Sequence, residues 1–100
     1  MILTTTNSIE HHKIVDYCGI VTGVSMKMRD LSAFAGKEKQ SLQMEEALNE
    51  LKEQAFKKLL TNAKGLGANA VVGIHIDFEP IGTGYYFGVS VTGTAVKVAT

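Results

Sequence analysis

One hundred residues, 45% hydrophobic and 20% charged, are enough for one small folded domain and too apolar for a disordered segment. Lys plus Arg and Asp plus Glu stand at 10 each, so no net charge draws the chain to nucleic acid, and Lys57, Lys58 and Lys64 read as a solvated helix face. A single cysteine, Cys18, excludes an intrachain disulfide and any CxxC motif, and no apolar run nears the ~20 residues of a membrane span.

The opening residues Met1-Ile2-Leu3-Thr4-Thr5-Thr6 lack the basic and long apolar regions of a signal peptide, so the chain is expected in the cytoplasm with no membrane attachment. Residues 2–6 are β-prone and suit a small edge strand; Asn7-Ser8-Ile9-Glu10 suits a turn. Residues 13–26 form a long strand candidate. One face would carry Ile14, Cys18, Ile20, Val24 and Met26, the other Val15, Tyr17, Gly19, Val21 and Gly23. A sheet with one solvated face shows one polar side. Here both faces are apolar or small, and a domain of this size hides only about two-thirds of its unfolded surface. The excess apolar surface points to a homo-oligomer.

Met28 to Ala35 suit a short helix ended by Gly36. From about Lys37 to Lys64, Met44, Leu48, Leu51, Ala55, Leu59 and Ala63 or Leu66 recur at three- and four-residue steps, the stripe of an amphipathic helix. Gly65 and Gly67 then stop it. Residues 70–79 alternate as a strand, with Val72, Ile74, Ile76 and Phe78 on one side and Val71, Gly73, His75, Asp77 and Glu79 on the other. Pro80 to Gly84 suit a turn, and residues 85–98 a final strand. In that strand the apolar parity changes from Val91 to Val96, which predicts a bulge at Gly93. The chain thus predicts a single α+β domain over 1–100, a β-α-β-β unit with a small antiparallel sheet on one long helix.

Chemistry-bearing residues are few. His75, Asp77 and Glu79 share a strand face at period two, and imidazole and carboxylate are ligands for zinc-like divalent ions. Same-face neighbours lie ~6.6 Å apart in Cα, so two of the three would chelate more easily than all three, and copies from other subunits would complete a site. Cys18 has only Asp16 as a near charge, the wrong sign to stabilise a thiolate, and reads as a buried thiol on the sheet face opposite His75. His11 and His12 are adjacent, point apart and suit an exposed loop. Gly65-Leu66-Gly67-Ala68-Asn69-Ala70 fits a loose GxGxxA, but it follows a helix where a dinucleotide site needs it to precede one. Tyr85-Tyr86 and Phe56 with Phe87 suit core packing, or the floor of an apolar pocket at a subunit seam. No nucleophile elbow or triad context is present, and the chain does not read as an enzyme.

Four stretches carry a family resemblance: Leu3-Thr4-Thr5-Thr6, Ile14-Val15-Asp16-Tyr17-Cys18-Gly19-Ile20-Val21-Thr22-Gly23, Leu66-Gly67-Ala68-Asn69-Ala70-Val71-Val72-Gly73 and Val91-Thr92-Gly93-Thr94-Ala95-Val96. In this order, spanning nearly the whole chain, they resemble the YbjQ-like family, which carries the label "putative heavy-metal-binding". The resemblance implies a compact α+β subunit in a ring-shaped homo-oligomer, typically a pentamer. The chain departs from the family pattern in reading Glu38-Lys39-Gln40-Ser41 where a Gly-Gly-Arg-Ser turn is usual, and in placing His75 where Asp is common. The leading expectation is a homo-oligomeric protein that binds a divalent or heavy-metal ion through His75, Asp77 and Glu79. The alternatives are a small-molecule binder with pockets between subunits and a structural ring that scaffolds a partner.

Overall fold

The computed structural model describes residues 1–28, 37–81 and 86–100, with 37–44 and 81 described by their backbone. Its elements are β1 (Ile2–Leu3), β2 (Lys13–Met28), α1 (Lys37–Gly65), β3 (Ala70–Ile81) and β4 (Tyr86–Ala99). They form one four-stranded sheet of order β1-β3-β4-β2, with α1 on one face. The predicted α+β class and element order hold. The sheet is mixed, however, and not wholly antiparallel: β4 runs antiparallel to β2 and β3, while β1 runs parallel to β3 through Ile2–Ala70 and Leu3–Val71. Backbone bonds beyond the strand prolong that contact, from Thr4 N to Val71 O and from Gly73 N to Thr6 O.

The helix stripe is the one its spacing predicts. Leu51, Ala55, Leu59 and Ala63 are buried, Leu48 is half-buried, and Leu66 lies past the helix end, exposed. Met44 and the predicted helix from Met28 to Ala35 fall outside the described side chains or residues, except that Met28 itself ends β2. The small alanines let α1 settle close to the sheet, over Val21, Val71, Ile74, Val89, Val91 and Ala95. Full burial of each leucine stabilises the fold by roughly 1.5–3 kcal/mol. Ser25, the one buried polar residue among those described, donates to Gln54 Oε1 at 2.8 Å. The helix ends as predicted in a glycine cap. Gly67 has φ 78°, its amide donates to Lys64 O, the Ala68 amide donates to Ala63 O, and Ala63 and Ala68 are both in the core.

The apolar parity of β4 has a different cause from the predicted one. Strand β4 has no extra residue; the register shifts place them in its neighbours, between Ile14 and Asp16 and between Tyr17 and Gly19 in β2, and between Val72 and His75 in β3. Gly73, at φ 62°, marks the β3 shift. The parity changes because β4 feeds two cores. Val89, Val91 and Ala95 face the helix, whereas Val96 joins Ala70 and Val72 in a smaller cluster on the other face, with Ile9, Ile14 and Val98 against it. The same β3 shift puts Val71, not Val72, on the helix side with Ile74. Pro80 and Ile81, predicted to turn, continue β3; residues 82–84 of that turn, and residue 85 of the predicted last strand, lie outside the described residues.

The chain is long for its size. Its extents are 54 × 23 × 17 Å and its radius of gyration is 16.5 Å, against about 13 Å for a compact hundred-residue domain. No described helix is long and apolar enough to cross a membrane.

Candidate metal site on the open sheet face

Beyond the small second cluster, no described helix or strand covers the sheet face away from α1. Strand register makes it a graded surface. His75 lies beside Thr92 and then Thr22, Asp77 beside Ser90 and then Val24, and Glu79 beside Gly88 and then Met26. Imidazole and carboxylates therefore line the β3 side, hydroxyls and glycine the middle, and Thr22 followed by apolar Val24 and Met26 the β2 side. Alternation past the Gly73 shift is what aims His75, Asp77 and Glu79 to one side, as their spacing predicts.

His75 Nε2 stands 3.3 Å from Asp77 Oδ1, with the two side chains 76% and 51% exposed. Glu79 follows on the same face. Among the described residues, no three His, Cys, Asp or Glu side chains of one chain gather closely enough to enclose an ion. The structure thus brings two of the three predicted ligands together and leaves the third alongside. A carboxylate and an imidazole at this spacing can share a divalent ion and leave its remaining positions to water or to a second chain.

Cys18 sits at a β2 register shift and packs against the helix-side core, half-buried, on the other side of the sheet from His75. Its expected face-mates do not stay with it: Ile20 and Val24 are exposed and Ile14 joins the second cluster, because the two β2 shifts break the strict alternation. His11 is exposed with φ 65°, and His12 Nδ1 lies 2.9 Å from the Glu10 carbonyl oxygen, which ties that ring to its own loop. Phe56 and Phe87 pack on the main core as expected; Tyr86 is exposed, and Tyr85 lies outside the described residues.

One further feature escaped the sequence reading. An open groove of about 430 Å³ runs between α1 and β2, lined by Thr22, Gly23, Val24, Lys57, Lys58, Thr61 and Asn62. Lys58 Nζ donates to Val24 O at 2.7 Å and Asn62 Nδ2 to Thr22 O at 2.8 Å. The signal that would have found it is Gly23, a residue without a side chain in the middle of a strand, where a helix backbone comes close.

A family model described as "Putative heavy-metal-binding" matches residues 1–99. A crystal structure of a protein of unknown function from Pediococcus pentosaceus superposes with a TM-score of 0.72 at 19% identity, covering 99% of this chain and 98% of that one. That likeness carries the fold alone, over chains of nearly equal span. With the family model reaching from the first strand to the last, the chain belongs to the YbjQ-like family.

Proposed function

We propose that this chain is a homo-oligomeric metal-binding protein that holds a divalent ion on the open face of β3 through His75 and Asp77, with Glu79 beside them. The observation that carries the reading is the 3.3 Å approach of His75 Nε2 to Asp77 Oδ1 on a solvent-facing strand. The family's heavy-metal description supports it. A neutral imidazole and an ionised carboxylate suit zinc-like ions, and neither is buried, so an ion reaches both without any rearrangement of the core. The site is half of a coordination shell, and a second copy of the chain is the source of the rest.

Metal binding to the folded chain alone adds to its stability, by ~2.7 kcal/mol per site at a hundredfold excess over Kd. Melting curves with Zn²⁺, Ni²⁺, Cu²⁺ and Cd²⁺ therefore test the reading. The melting temperature rises by several degrees in the wild type with at least one of these ions. The rise disappears in His75→Ala and persists in Cys18→Ala. No rise with any of the four ions would refute the proposal.

A further inference from the structure

The middle of the open sheet face carries two unengaged hydroxyls. Ser90 and Thr92 stand on β4 directly across from Asp77 and His75. Val89, Val91 and Ala95 take the helix side of that strand, so alternation turns Ser90 and Thr92 to the open face. Thr92 is exposed and Ser90 half-buried. Among the described residues neither hydroxyl forms a hydrogen bond within the chain, to His75, to Asp77 or to any other group. Thr22, the next residue across from Thr92, is engaged, its hydroxyl donating to Val91 O at 3.0 Å. Opposed residues on an antiparallel pair keep their Cβ atoms ~4.5–5.5 Å apart. With no direct bond made, that spacing suits one bridging water between each hydroxyl and whatever the side chain across from it holds.

We infer that Ser90 and Thr92 are positioning residues of the ion site, holding by hydrogen bond the water that the ion keeps. The inference rests on the metal reading above and adds two residues to it. His75 and Asp77 supply two donors, fewer than the four that a zinc-like ion takes. A position that no side chain fills is kept by water. Water on a divalent ion is a stronger proton donor than bulk water, and a hydroxyl oxygen accepts from it while its own proton stays free for a second bond. Register confines the role to these two residues. Gly88, across from Glu79, has no hydroxyl to offer. Thr94 lies on the same face of the same strand and is as unengaged as Thr92, but it stands across from Val72, past the end of the ligand row.

Competition with a chromophoric chelator tests this, using whichever of Zn²⁺, Ni²⁺, Cu²⁺ and Cd²⁺ the wild type binds. Ser90→Ala/Thr92→Val weakens binding at least ~10-fold, the low end of the loss seen when a group that orients a metal site is removed. Thr92→Ser gives up only the methyl group and binds as the wild type does. Thr94→Val, which removes the same hydroxyl one step along the strand, also leaves affinity unchanged. Thr92 is exposed, so Thr92→Val alone repeats the test, with a smaller loss in the same direction, where the double variant melts early. Unchanged affinity in the hydroxyl-free variants, an equal loss in Thr94→Val, or a loss in Thr92→Ser as large as in Thr92→Val overturns the role of the two hydroxyls and leaves the ion on His75 and Asp77. A wild type that binds none of the four ions overturns both.

Discussion

The backbone carbonyl of Ala55 occupies the space that a side chain at Gly23 would need. The Leu59 amide nitrogen lies only 2.7 Å from the same point. Both atoms belong to the helix backbone, so neither can move aside as a side-chain tip would. Gly23→Ala forces α1 off the sheet at its closest point. Overpacking usually costs about 1–3 kcal/mol, and this site belongs at or beyond the upper end. Denaturant unfolding checks it; a loss below ~1 kcal/mol would show that the helix is not seated as described.

Gly93 and Gly73 separate two reasons for glycine. A Cβ at Gly93 would lie 2.6 Å from Val71 Cγ1 and 3.1 Å from Ile74 Cγ1, so the constraint is space. At Gly73 the nearest atom is Asn7 Oδ1 at 3.5 Å, an ordinary contact, but φ is 62°, so the constraint is backbone. Gly93→Val therefore destabilises by about 3 kcal/mol or more, with Gly93→Ala less severe. Gly73→Ala costs about 1–2 kcal/mol, and Gly73→Asn less, since Asn tolerates the left-handed region. Equal costs for Ala and Asn at Gly73 would contradict the bulge assignment.

Asn69 acts as one more rung of the sheet before β3 begins. Its side chain accepts from Val98 N at 2.8 Å and donates to Val98 O at 3.0 Å, while its own amide donates to Val96 O. Asn69→Ala removes both side-chain bonds and costs about 1–2 kcal/mol. Asn69→Asp keeps the acceptor and loses the donor, and falls between Ala and wild type. Hydrogen exchange of the Val98 amide reports the same loss locally.

How far these features were legible depends on how local their cause is. The stripe from Leu51 to Ala63 and the Gly67 cap are written within one helical segment, and both were readable. So was the shared side of His75, Asp77 and Glu79, because three alternating residues need only a regular strand after Gly73. The faces of Val71 and Val72, the dispersal of Cys18 from Ile20, and the role of Gly93 were not. Each depends on extra residues near Val15, Cys18 and Gly73, whose place is fixed only by pairing with β4. The groove also depends on pairing: Lys58 and Asn62 meet Val24 and Thr22 across 34 and 40 residues of chain.

Native mass spectrometry of protein purified without chelator tests, in one spectrum, both the divalent ion on the His75–Asp77 face and the oligomer that carries it. The expected species is a homo-oligomer whose mass exceeds that of its chains by a whole number of divalent ions, with that excess lost in His75→Ala and kept in Cys18→Ala. An oligomer or monomer of bare chain mass, or a metal excess that survives His75→Ala, would contradict it.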